Sequence, residues 1–142
     1  MKNLIANYQS LLITFVASII IIVQHFMAGY QNDFFTFIGL LIMIPSLVFF
    51  TIARFQLGNS FEVSAKANQL VTKGIYHKIR HPVYLFGLLY VLGIIIFIQF
   101  FYLLIVWLGL IMMQMKRIRK EERVLEEKFG QQYLEYKAQT WF

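Results

Sequence analysis

Two short stretches hold most of the residues able to do chemistry: Leu70 to Tyr84, reading LVTKGIYHKIRHPVY, and Arg117 to Glu127, reading RIRKEERVLEE. In the first, Arg80 and His81 stand directly before Pro82. Proline suits the first turn of a helix, where its missing amide hydrogen costs nothing. Arg80 and His81 are therefore expected at a helix N-terminus, beside unpaired backbone donors that favour an anion. In the second stretch, Glu121 and Glu122 are adjacent carboxylates. If both stretches return to one face, they make a pocket carrying both signs of charge, and Tyr76 and Tyr84 offer it aromatic walls. The chain has no cysteine, which excludes disulfides, thiolate metal sites and a cysteine nucleophile. No metal is expected.

What positions these residues is legible from composition. Of the 142 residues, 59% are hydrophobic and 14% charged, against about 25% charged in soluble domains. The expected fold is an all-α integral membrane protein, one unit over 1–142, with four transmembrane helices. The first covers about 8–28: Asn3 to Asn32 carries no charge, and the apolar run is longer than a signal-peptide core and lacks a small-residue cleavage site, so it is read as a retained span. The second covers about 34–53, with Pro45 as a point of bending. Pro82 to Met115 is again uncharged. One helix of that length would reach about 50 Å, overshooting a hydrocarbon core of about 30 Å. Two short antiparallel helices, about 82–98 and 100–117, turning near Gln99, fit better.

Charge placement then sets topology. All 13 Lys and Arg fall on Lys2, on the loop 54–81, or after Met115, and Asp33 is the one acidic residue on the opposite side. Short cytoplasmic loops are enriched in lysine and arginine, so the protein is expected to be multi-pass, with both termini and the active site on the cytoplasmic face. The formal net charge of +6 is thereby explained without a nucleic-acid partner. After the fourth span, Ile118, Leu125, Phe129, Tyr133 and Tyr136 recur at helical spacing. They predict an amphipathic interfacial helix over about 118–138, interrupted at Gly130 and closing the mouth of the bundle.

The two polar stretches resemble the isoprenylcysteine carboxyl methyltransferase and phospholipid methyltransferase group. LVTKGIYHKIRHPVY is similar to its Leu-Val-Thr-x-Gly-x-Tyr and Arg-His-Pro-x-Tyr elements, EERVLEEKFGQQYLEYK to its Glu-Glu and Phe-Gly-x-x-Tyr-x-x-Tyr-Lys elements, and Leu57-Gly58-x-Ser60 fits upstream. The resemblance implies S-adenosylmethionine as methyl donor, with S-adenosylhomocysteine as product. It also implies a cofactor pocket lined by Asn68, Gln69, Leu70, Val71, Tyr76, His81, Pro82, Val83, Tyr84 and Glu121, and an acceptor position at Arg117; Glu122 is added as a cofactor-binding residue and Arg80 as a catalytic one. Glu121 would accept from the ribose hydroxyls or the ammonium, and Arg80 or His81 would meet the carboxylate. The implied partners are the bilayer and a lipophilic acceptor, a lipid-like or prenylated carboxylate; a phospholipid or other amine is the alternative. Asn68 stands where many members carry histidine, which keeps a non-catalytic membrane scaffold as the rival class. His25 is read as a helix-packing group, His77 as solvent-facing, and Glu126 and Glu127 as part of a solvated face.

Overall fold

The computed structural model describes residues 2–27, 33–57, 70 and 72–141. They form five helices: α1 (Lys2–Met27), α2 (Phe34–Leu57), α3 (Pro82–Ile98), α4 (Leu103–Phe129) and α5 (Gln131–Gln139), with a 3-10 turn at Gly74–His77 before α3. Among the described residues there is no strand; the one bridge pairs Ile79 with Trp141. α2 is long and apolar enough to cross a membrane, and Leu11–Met27 and Pro82–Ile98 are shorter apolar helices. Large apolar side chains such as Met27, Leu41, Ile105 and Met113 lie on the outside, a surface that suits lipid rather than water.

Contacts between the helices give their directions. Gly39 of α2 packs against Phe97 of α3, and Gly93 of α3 against Met43 of α2, so the two run antiparallel. A Cβ on Gly39 would lie 2.5 Å from Phe97 Cα, and one on Gly93 2.7 Å from the Met43 nitrogen. The backbones touch there, as small residues allow where no water drives association. Phe97 and Met43 are fully buried at this contact. Ser18 and Tyr90 share a 2.6 Å hydrogen bond, and the His25 ring lies 4.3 Å from that of Phe97, so α1 runs parallel to α3. Trp107 of α4 donates to the Leu88 carbonyl of α3, and farther along Tyr84 meets Glu121, so α4 doubles back on α3.

The reversal occurs at Gln99, which takes a left-handed conformation (φ 58°) and caps α3. Its side-chain amide donates to both oxygens of Asp33 at 2.9 Å. Asp33 in turn accepts from the Thr36 amide at 2.9 Å, capping α2, and from the Thr36 hydroxyl, while His25 Nε2 lies 3.4 Å from that hydroxyl. The Thr36 amide holds the Asp33 carboxyl below its ordinary range. One polar knot thus ties α1, α2 and the α3–α4 turn at one end of the bundle, and His25 takes the packing role read from the sequence.

Several boundaries differ from the sequence reading: α1 begins at Lys2 and α4 at Leu103, and two further differences have a physical reason. α2 continues to Leu57, because Arg54 to Leu57 holds no helix breaker. The fourth span and the start of the C-terminal helix are one helix, α4, running unbroken from Leu103 to Phe129; a change from apolar to charged residues alters the surroundings of a helix without ending it. The break falls at Gly130, whose φ of 51° with ψ of −124° is essentially open to glycine alone. The inward stripe holds: Ile118 and Tyr133 are buried, and Leu125, Phe129 and Tyr136 are half-buried.

Because the α2–α3 contact is backbone on backbone, Gly39→Ala and Gly93→Ala should each destabilise the protein by about 1–3 kcal/mol. Gly109→Ala, where an added Cβ meets nothing within 4 Å, is the control. Melting curves in detergent check this, and equal curves for all three variants would refute so close an approach.

Candidate active site

The other end of the bundle gathers the polar stretches. The 3-10 turn is pinned to the last turns of α2: the Ile75 amide donates to Gln56 Oε1 at 2.8 Å, and the Tyr76 hydroxyl donates to the Ala53 carbonyl at 3.3 Å. Gly74, at φ +66°, sits against the Gln56 side chain, where a Cβ would clash. Pro82 occupies the first turn of α3, and the Tyr84 and Leu85 amides donate to the His81 carbonyl. The His81 side chain is thus set at the helix mouth, buried to 6% exposure.

The doubling back of α4 brings its two adjacent carboxylates onto this turn, and they do different things. Glu121 accepts from the Tyr84 hydroxyl through Oε2 at 2.9 Å; its Oε1 has no hydrogen bond among the described residues. Beside it, the Arg117 guanidinium lies 5.7 Å from the centre of the Tyr84 ring, a cation–π distance. Glu122 is surrounded by two cations and a histidine. Lys137 Nζ stands 3.1 Å from its Oε2, and His81 Nε2 and Arg80 Nε each stand 3.3 Å from its Oε1. The Arg80 contact is one of charge, because its Nε–H makes no hydrogen bond among the described residues.

Arg80 does not point into open space. Its Nη1 donates to the carbonyls of Lys137 (3.0 Å) and Thr140 (3.3 Å), the end of α5, where a cation is favoured. Tyr136 donates to the Tyr76 carbonyl at 2.6 Å, and the Trp141 amide donates to the Lys78 carbonyl. α5 is thereby strapped across the turn that carries Tyr76, Arg80 and His81. Tyr133 beneath it is fully buried, with its hydroxyl unpartnered among the described residues.

Burial governs the protonation states. It lowers the His81 pKa below its ordinary value, against the opposing pull of Glu121 and Glu122, so His81 is neutral at pH 7 and donates from Nε2–H. Burial would raise Glu122, but hydrogen bonds from Lys137 and His81 outweigh it and hold the carboxyl below its ordinary range. Burial raises the Tyr76 and Tyr133 phenols and pushes Tyr136 up to about 12, so all three stay protonated as donors.

Of the residues singled out from sequence, Tyr76, Arg80, His81, Tyr84, Arg117, Glu121 and Glu122 come together, with Pro82 and Val83 beginning α3 among them. Leu70 is half-buried with no hydrogen bond to these groups, and His77 is exposed. Asn68, Gln69 and Val71 lie outside the described residues, as do Gly58 and Ser60. Sequence reading passed over Lys137 and Gln56 as site residues. Lys137 had a signal, as the final residue of the Tyr-x-x-Tyr-Lys element; Gln56 had none beyond its place at the end of a span.

A His81 that is neutral when folded but ordinary when unfolded makes the unfolded chain bind the proton first as pH falls. The stability it contributes is full above pH 6.5, its ordinary pKa, and is lost as pH drops through that value toward the lowered one, with a slope of at most about 1.4 kcal/mol per pH unit. Melting temperature in detergent should therefore fall between pH 7 and 5, and His81→Gln should flatten that profile. An equally steep profile in the variant would place the titration on another group.

No curated protein sequence matches the chain. The family model described as phospholipid methyltransferase matches residues 34–132, from the start of α2 through α3 and α4 into α5, and so takes in Arg80, His81, Glu121 and Glu122. The described residues form helices, one of them membrane-capable, and the chain belongs to the phospholipid methyltransferase family.

Proposed function

We propose that this protein moves a methyl group from S-adenosylmethionine to a lipid-like or prenylated acceptor resident in the bilayer, releasing S-adenosylhomocysteine. Family membership supports methyl transfer at a membrane. The one-sided charge pattern supports α1 to α4 as four spans with both termini cytoplasmic. The alternating helix directions and the separation of the His25–Thr36–Asp33–Gln99 knot from the Glu121–Glu122 cluster agree with that topology.

The observation that carries the reading is the division of labour between the adjacent carboxylates. Glu122 is held by Lys137, His81 and Arg80, whereas Glu121 is fixed through one oxygen by Tyr84 and has its other oxygen to offer. The residues present fit the methyl donor. Glu121 Oε1 would accept from ribose hydroxyls or the ammonium, and the Tyr76 and Tyr84 rings would flank adenine or the sulfonium. The Tyr133 hydroxyl, a buried donor with no hydrogen-bond partner among the described residues, would meet the carboxylate. With Arg80 and His81 both tied to Glu122, we assign them to holding the site together and Arg117 to orienting the acceptor. Asn68, Gln69, Leu70 and Val71 complete the cofactor side of the proposal.

When bound, the donor supplies an electrophilic methyl on sulfur. The acceptor atom forms the new bond to that carbon as the carbon–sulfur bond breaks and its electron pair passes to sulfur, so the protein's task is alignment in a dry site. A carboxylate acceptor, the motif-based reading, needs no base. The family description, phospholipid methyltransferase, supports keeping a phospholipid amine as the alternative, and such an amine would have to reach the methyl donor deprotonated.

Titration calorimetry in detergent with S-adenosylmethionine tests the assignment. Glu121→Ala should weaken binding at least about tenfold, the size of a lost charge-assisted hydrogen bond. Binding unaffected by Glu121→Ala would remove the central claim. Incubation with radiolabelled methyl donor and native membrane extract should then label a lipid or lipidated product, and labelling absent in Glu121→Ala would link that product to this site.

A further inference from the structure

We infer that Lys116, Arg119, Lys120 and Arg123 form a docking stripe for the anionic phospholipid headgroups of the cytoplasmic leaflet, on the face of α4 turned away from the candidate active site. This rests on the reading of α4 as a membrane span and is independent of the methyl acceptor. All four side chains are exposed. In a helix they fall within about 100° of arc and over about 10 Å of length. The residues of the site leave α4 in other directions: Arg117 and Glu121 meet Tyr84 of α3, and Glu122 meets Arg80, His81 and Lys137. Stripe and site thus occupy different faces of one helix.

What turns the stripe toward lipid is the rest of the same face. Followed back along α4, it carries Met112, Gly109 and Ile105. Met112 and Ile105 are exposed, and a Cβ on Gly109 would meet nothing within 4 Å. A face that meets hydrocarbon in those turns meets headgroups in the turns that follow, because α4 continues without a break. The interfacial layer is about 5–7 Å deep on each side of the hydrocarbon core, so the stripe reaches through it. Beyond it the sign of charge reverses: Glu126 and Glu127, both exposed, follow Arg123. Cations therefore stand where the negative surface potential is strongest, and acids where it has decayed. None of the four cations makes an ion pair among the described residues, although Glu127 stands four places after Arg123, a spacing at which such pairs form. Four cations without an internal partner, set at headgroup depth, match the phosphodiester anions of a lipid surface.

The absence of cysteine allows a direct test, with a bimane fluorophore attached at Met112→Cys in the full chain and the protein reconstituted in phosphatidylcholine vesicles. Lipids brominated in the acyl chain quench the fluorophore when they lie beside this face. Brominated phosphatidylglycerol should outcompete brominated phosphatidylcholine about fivefold, the effect of one basic residue near an anionic leaflet. Lys120→Gln with Arg123→Gln should remove most of that preference, whereas Lys73→Gln with Lys78→Gln, exposed cations outside α4, should leave it. Salt at about 1 M, where the screening length is about 3 Å, should abolish it without any substitution. Equal quenching by the two lipids overturns the proposal, as does equal loss in the two double variants or a preference that survives high salt. Retention on heparin without a lipid preference would assign the stripe to a soluble polyanion and overturn it too. No quenching by either lipid would instead sink the reading of α4 as a span.

Discussion

A carboxylate drawn into the interior must be neutralised there, and Glu122 meets that requirement with groups from two other places in the chain. Arg80 and His81 come from the turn before α3, Lys137 comes from α5, and Glu122 itself sits on α4. Burying an ion is costly, and attraction within the cluster repays that cost when each remaining polar atom is also satisfied. Arg80 extends the cluster by capping the C-terminal carbonyls of α5. The order of the site follows from this node. It fixes where α5 lies, and α5 in turn braces the Tyr76 turn through Tyr136. Tyr84 is then set against Glu121, whose carboxylate is the one we propose for ligand chemistry.

The opposite end answers the same physical demand with neutral partners and one acid. Asp33 is shared by Thr36 and Gln99, and His25 packs against Phe97 within reach of the Thr36 hydroxyl. Between the two polar ends, the α2–α3 seam relies on glycine and close backbone approach, because apolar surroundings offer no hydrophobic gain for bringing helices together. Two polar knots with an apolar seam between them suit a bundle whose middle lies in hydrocarbon.

Much of the fold was legible because apolar run length and charge spacing are local quantities. The uncharged runs located the helices, and the excess length of Pro82 to Met115 required a reversal that occurs at Gln99. The missed boundaries have a common cause. Composition at 116–118 changes from apolar to charged, and this was read as the end of an element. Helix hydrogen bonding is indifferent to that change, so α4 runs on to Gly130, where backbone conformation does end it. The inward stripe Ile118 to Tyr136 survived because periodicity is measured along the helix and carries across the break.

By itself the sequence determined which residues could matter: an Arg-His-Pro turn, two adjacent acids and the aromatic positions around them, together with a charge asymmetry that assigns them to one side. It could not separate Glu121 from Glu122, because neighbours in a helix point about 100° apart, and which direction meets cations depends on helices far away in the chain. Nor could it show that Arg80 is bound to the end of α5 or that Lys137 completes the cluster. Those assignments came only when α3 and α4 folded back and α5 turned at Gly130, since contacts between distant residues are set by packing and not by spacing.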